Sequence, residues 1–255
     1  MRRPAIPSPR PAFTLTELLV SIAVVAILIS LLAPALRAVR ISAAEAQSLL
    51  RIRGVGIVIE QATDANRGEY PFAEPGEWLD ATPDARAPAL GTFSTTDPWA
   101  PRYAWPALVH RVAPWREHYE TWLSPGTEHD PSAPWKSPDG ATIWPSYEYA
   151  NAFIAEPSLW SESTEAGAAE FADVLKPQRQ SSLQSPSAKA LSFDDRLAYR
   201  LPQDRAGAPR AVLTADGAAA LRRDDDARPP APNPLRAGDP WLYHDTRDGL
   251  AGRDF

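Results

Sequence analysis

Residues 13–36 read FTLTELLVSIAVVAILISLLAPAL. The run holds one charge, Glu17, and one proline, Pro34. As a helix it would rise ~36 Å at ~1.5 Å per residue, enough to cross a hydrocarbon core of ~30 Å. No other run in the chain approaches it in length or apolarity. It is preceded by a short basic leader, MRRPAIPSPRPA, and followed by a long polar chain. Working outward, the first question is what kind of membrane segment this is, and the second is what it carries.

The totals limit the answers. The chain has 255 residues, so more than 200 lie beyond the apolar run, enough for one domain with long insertions. Net charge is −6, and Arg2, Arg3 and Arg10 belong to the leader, so the remainder is more acidic still. An acidic chain argues against nucleic acid as a partner, because phosphate binding needs a basic surface. There is no cysteine, which removes disulfides, thiolate-bound zinc and thiol nucleophiles together. A head exported from the cell would have to be held by its core.

The leader could be the n-region of a secretory signal. Against that, the apolar run exceeds the 7–15 residues of an ordinary h-region, and Ala33-Pro34-Ala35 makes a poor cleavage site. Glu17 is also out of place. A carboxylate in hydrocarbon is costly and should have a partner. In order, the residues are Ala12, then Phe13-Thr14-Leu15-Thr16-Glu17, then Leu18-Leu19-Val20, with Pro34 late in the run. This segment resembles the N-terminus of type IV pilins and type II secretion pseudopilins, with a short basic leader, a small residue, Phe-Thr-Leu-x-Glu and some twenty apolar residues. It departs from that pattern at Ala12, where glycine is usual, and at Thr16, where an apolar residue is usual.

The resemblance implies a chemistry of assembly. Prepilin peptidase would cut between Ala12 and Phe13 and methylate the new amine of Phe13. Glu17 would neutralise that amine, on its own chain or a neighbour, when the subunit docks at the base of a growing fibre. Implied partners are the peptidase, copies of the chain and other pilins or pseudopilins, an inner-membrane assembly platform, and lipid before assembly. The implied location is a single pass of the inner membrane with the head in the periplasm or outside, then a filament. Orientation follows from the resemblance alone, since Arg37, Arg40, Arg51 and Arg53 beyond the span balance the leader arginines under the positive-inside rule.

Beyond the span the helical pattern continues. Leu36, Val39, Ala43, Ala46, Leu50, Gly54, Ile57, Val58 and Gln61 fall near one face, which reads as the face packed on the head and on neighbouring subunits. Pro34 should kink or loosen the membrane half, and Gly54 and Gly56 mark a possible weak point. Asn66-Arg67-Gly68-Glu69-Tyr70-Pro71 should end the helix through left-handed caps and a proline stop. It also resembles the Gly-x-Tyr-Pro step of pseudopilins. The expected organisation is a leader at 1–12, an assembly helix at 13–36, an amphipathic stalk helix at 37–67 and a head at 68–255.

The head reads as α+β: a small antiparallel sheet with long Pro/Trp-rich loops, packed on the long helix. Trp78, Trp99, Trp105, Trp115, Trp122 and Trp135 stand among prolines, as in Trp105-Pro106 and Pro114-Trp115, which suggests rigid loops covering a core. One helix is expected at 104–120, with His110 and His118 on it, and another near 165–175. Strands are expected at 141–144, 147–153, 188–193 and 211–214, with Asp216-Gly217 turning the last into 218–222. Residues 223–240 read as a loop, in which Asp224, Asp225 and Asp226 are weak calcium candidates, although such a run is more often a solvated face. Ser146–Asn151, 188–195 and 212–217 resemble, patchily, the head of a DUF1559-like pseudopilin group of planctomycete-type bacteria.

No catalytic signature stands out. There is no G-x-S-x-G elbow, no H-E-x-x-H and no phosphate loop, and no cofactor is implied. The chain therefore reads as a structural subunit of a pilus-like or pseudopilus assembly rather than an enzyme. The alternative is a membrane-anchored head whose tryptophans read a glycan or a secreted protein. Exposed tryptophans would favour it and buried ones would not.

Overall fold

A computed structural model describes residues 14–72, 99, 101–127, 145–161, 174–236 and 238–255. The chain divides into two compact units, Met1–Ala43 and Ala44–Phe255. The expected strand at 141–144 and nearly all of the expected helix at 165–175 lie outside the described residues, as do His129, Trp78 and Trp135.

Helix α1 (Leu15–Ala65) runs without interruption through Pro34, Gly54 and Gly56. Its C-terminus is closed by two bonds, Arg67 N–H to Asp64 O (3.2 Å) and Gly68 N–H to Thr63 O (2.9 Å). This is the paired closure of a Schellman motif. The left-handed residues are Arg67 (φ 58°) and Gly68 (φ 83°), not Asn66. The chain then leaves at Tyr70, whose N–H is bound by Gln178 O at 2.9 Å.

In the second unit, four strands form one antiparallel sheet in the order β1 (Tyr147–Tyr149), β2 (Ala190–Asp194), β3 (Arg210–Thr214), β4 (Ala219–Arg222). Tyr147 faces Asp194, Phe193 faces Val212 and Val212 faces Ala220. Two strands are shorter or shifted relative to the sequence reading. Residues 151–153 form a 3-10 turn rather than extending β1, and 186–188 form another before β2. The expected hairpin is present. Gly217 takes φ 81°, and the Asp216 carboxylate accepts from Thr214 Oγ1 and the Ala218 N–H.

Alternation along the strands, shifted in β2 by an irregularity between Ala190 and Ser192, gives the sheet two apolar faces. Tyr147, Tyr149, Leu191, Ala211 and Leu213 join the main core with Ile52, Val55, Ile59 and Ala62 of α1. Ala190, Phe193 and Val212 face the other way and are covered by Tyr243 and Phe255. The C-terminal segment thus closes the sheet, as its turn-rich sequence suggests. Gly56 lies where the helix comes closest to β3: a Cβ there would stand 2.8 Å from Leu213 Cδ2. It is a contact point rather than a weak one.

The face of α1 turned to the head is not the one expected. Ser48, Ile52, Val55, Gly56, Val58, Ile59, Ala62 and Thr63 are buried. Of the expected row, only Val58 is among them, while Ala43, Ala46, Leu50, Ile57 and Gln61 are exposed. Two apolar rows run along this helix. The one that packs is interrupted by serine, glycine and threonine, whose small side chains allow close approach but add little hydrophobicity.

The Trp/Pro region also needs correction. Trp105-Pro106, which falls in the expected helix at 104–120 as well as among the expected rigid loops, is part of α2 (Pro101–Val109). Pro101 opens it at the position where a missing N–H costs nothing. Pro106 is held inside by packing, since the Trp105 indole N–H donates to Tyr147 O at 2.7 Å. The expected helix at 104–120 is broken after Val109 and restarts as the single turn α3 (Trp115–His118). After Val109 the chain turns, with the Val112 and Ala113 N–H groups both bonded to Val109 O, and Pro114 disfavours a helical backbone at Ala113, so the helix restarts only beyond it. His110 therefore lies in the turn after α2, while His118 ends α3. Trp99, Trp105, Trp122 and Trp160 are all buried, and the Trp105 and Trp122 rings meet edge to face at 4.9 Å.

Candidate functional site

The candidate site is the N-terminal part of α1. Thr14 precedes the first helical residue and Glu17 is the third within the helix. The Glu17 carboxylate accepts from the Thr14 N–H (2.9 Å) and hydroxyl (2.8 Å), and the Glu17 N–H points back to Thr14 Oγ1 (3.3 Å). This reciprocal pairing is a capping box, which satisfies donors that a helix start leaves open. The side chain expected to meet an amine is thus held at the helix start by its own chain. Further along, Ser21 and Ser30 turn their hydroxyls back onto Glu17 O and Ile27 O, so neither adds an unpaired donor to the apolar surface. All residues from 14 to 40 are exposed, including Leu15, Leu18, Ile22, Ile29 and Leu32. By length and composition this helix can cross a membrane. Pro34 lies within it. Ala12 and Phe13 lie outside the described residues.

The head offers polar sites of a different kind. Asp194 is fully buried and accepts from Ser48 Oγ of α1 (2.8 Å), Ser124 Oγ (2.9 Å) and the Leu197 N–H (3.0 Å). Burial raises its pKa, and these hydrogen bonds work against the rise. The group ties the helix, the Trp-rich segment and β2 together. Nothing in the sequence around Ser48 signals this contact, because its partner lies 146 residues away.

A cavity of about 500 Å³ opens beside β1 and the C-terminal segment, lined among others by Arg102, Glu148, Asp195, Arg210, Trp241 and His244. His244 Nε2 lies 2.8 Å from Glu148 Oε2. Burial pushes Glu148 upward, but the hydrogen bond and charge of His244 together with the charges of Arg102 and Arg196 leave its pKa lowered. Asp195 is raised by burial and by Glu148. Trp241 presents no open ring, since the guanidinium carbons of Arg102 and Arg236 lie 3.9 and 3.4 Å from its centroid. The cavity mixes charges of both signs, its carboxylates are answered by neighbouring cations, and no nucleophile stands next to His244 among its lining residues.

The aspartate run does not gather into a cation site. Asp224 accepts from Arg210 Nη2 at 2.8 Å, and Asp226 accepts from the Arg223 N–H at 3.2 Å. No group of three His, Cys, Asp or Glu side chains suited to a metal occurs among the described residues. His118 stacks on Trp122 instead, at 5.7 Å.

The chain therefore joins an exposed apolar helix, opened by a Thr-x-x-Glu cap, to an α+β head. Residues 9–33 match the family model of the prokaryotic N-terminal methylation motif, the signature of type IV pilins and pseudopilins. The chain is pilin-like in this segment, and the match ends before the head begins. No curated protein and no solved structure matches the chain.

Proposed function

We propose that the chain is a structural subunit of a pilus-like filament or type II secretion pseudopilus. A prepilin peptidase removes residues 1–12, cutting between Ala12 and Phe13, and the Phe13 amine is methylated. Residues 13–36 hold the subunit in the inner membrane until assembly, residues 37–67 carry the helix into the head, and 68–255 form an extracytoplasmic head. The observation that carries this reading is the coincidence of the motif match at 9–33 with an apolar helix exposed along its whole face. A fully exposed run of this kind needs lipid or other helices as its surroundings.

Two details support assembly through α1. Ala46, Leu50 and Ile57 are exposed although the head packs on the same stretch of helix, which leaves an apolar row for neighbouring copies. Glu17 gives the second detail: its bonds to Thr14 are local, and after cleavage the Phe13 amine stands next in sequence to Thr14. A buried tryptophan set and a Trp241 covered by arginines give no support to a glycan-reading head.

The test separates charge from capping. Glutamine serves in a capping box as well as glutamate does, so Glu17→Gln keeps the helix start and removes the charge. In cells that assemble the filament, Glu17→Gln should be cleaved normally and show at least a tenfold loss of assembled subunit (about 1.4 kcal/mol). Normal assembly of this variant would contradict docking through the Glu17 charge.

A further inference from the structure

Lys189 is the one buried lysine among the described residues, with no exposed side-chain surface, and its ion partner is Asp254. Lys189 Nζ lies 3.1 Å from Asp254 Oδ2, and the Asp254 side chain is itself 5% exposed. Thr246 Oγ1 bridges the two, accepting from Lys189 Nζ and donating to Asp254 Oδ1. The Ala190 N–H donates to Asp254 Oδ2 at 2.8 Å. The Phe153 ring, 6.0 Å from Nζ, lines the lysine's apolar surroundings. A second carboxylate that acts on Lys189, Asp245, is already taken by Arg236, Trp160, Asn233 and the Trp241 N–H. Asp254 is anchored independently of the ion pair, through its backbone bonds to Ala188 O and from Arg228 N.

We infer that Lys189 and Asp254 join in a self-formed isopeptide bond that staples the C-terminal segment to the start of β2. Each group needed for the step is in place. Thr246 can relay one proton from the ammonium to Oδ1, leaving a neutral amine and a neutral acid. The Nζ lone pair then attacks Asp254 Cγ, and charge develops on Oδ2, where the Ala190 N–H already points, as an oxyanion donor must. The C–Oδ1 bond breaks, and Oδ1 leaves as water carrying two hydrogens that began on Nζ. Ammonium and carboxylate thus become amide and water, with no oxidant, cofactor or second enzyme.

Two physical arguments favour closure over a lasting ion pair. Taking both charges out of water is costly, and their attraction recovers only part of that cost. Burial accordingly lowers the pKa of Lys189 despite the nearby carboxylates, which raises the share of nucleophilic amine. Fixed reactants reach effective concentrations of roughly 10⁵–10⁸ M, far above that of water, so the reverse hydrolysis is disfavoured once water has left the site. The bond would supply a covalent clasp to a head whose sequence contains no cysteine. It does not depend on the assembly reading.

The test is mass spectrometry of the full-length folded protein, denatured and digested with trypsin. Cleavage after Lys189 should be blocked, and peptide 180–196 should carry the dipeptide Asp254-Phe255, joined with the loss of one water. Asp254→Ala should restore cleavage at Lys189 and the unlinked peptides. Recovery of free Asp254-Phe255 and of a peptide ending at Lys189 from the wild-type protein, in full yield, would overturn the proposal. So would a branched peptide that persists in Asp254→Ala. Because the digest reports residues 180–255 only, its outcome is independent of how the N-terminus is processed.

Discussion

Leu32 and Ile59 are aliphatic residues on the same helix, yet Leu32 is 58% exposed and Ile59 is 1% exposed. In the first half of α1 nearly every position is apolar, so there is no face to choose. In the second half, arginines and glutamates leave two apolar rows. The head takes the row built from Ser48, Ile52, Val55, Gly56, Ile59 and Thr63 and leaves Ala46, Leu50 and Ile57 outside. Apolar content therefore marks where a helix wants partners, while small residues mark which side those partners can approach. In the head half the partner is the chain's own sheet. In the motif half it must come from elsewhere, and that is where the methylation motif lies.

Substitutions on the two rows should break or sharpen this contrast. The largest effect is expected on the packed row. Ile59→Ala should cost the head about 2–5 kcal/mol, as large-to-small changes in a full core do. Leu50→Ser, on the open row, should stay within about 0.5 kcal/mol by urea unfolding and reduce filament yield instead. A Leu50→Ser protein as unstable as Ile59→Ala would mean that the rows are wrongly assigned.

A smaller effect is expected at the polar tie between helix and sheet. Asp194→Ala leaves the fixed Leu197 N–H without its acceptor, whereas the Ser48 and Ser124 hydroxyls can turn. The expected loss is about 1–3 kcal/mol, the cost of a buried donor left unpaired. Unfolding at neutral pH would show it, and an unchanged midpoint would remove Asp194 from the account.

The smallest effects should come from the two glycines, with opposite signs. Gly54 has open space where a Cβ would go, so Gly54→Ala should raise stability by up to ~1 kcal/mol through helix propensity. Gly56→Ala must displace the buried Leu213, and overpacking of about 1–3 kcal/mol should outweigh the same helical gain. Equal effects at both positions would contradict the close approach of α1 and β3.

Several elements were legible before the structure. The long helix, its end at 66–68, the β3–β4 hairpin and the α+β class all follow from local patterns: apolar density, a left-handed cap and an Asp-Gly turn. What was not legible depends on distant parts of the chain. The place of Trp105 in the core depends on Tyr147 O, 42 residues away, which takes the indole N–H. Ser48 becomes structural only through Asp194, 146 residues on. Lys189 falls within the expected strand 188–193, and only the fold brings Asp254 to it. In the candidate site, Glu17 stands out because a charge interrupts an apolar run, and its cap with Thr14 follows the Thr-x-x-Glu spacing.

The most direct measurement of the central claim is the mass of the N-terminal peptide of the protein purified from membranes of cells that express a prepilin peptidase. The account predicts a chain that begins at Phe13 and carries one added methyl group. A chain that keeps residues 1–12, or one cut after Leu36, would contradict it.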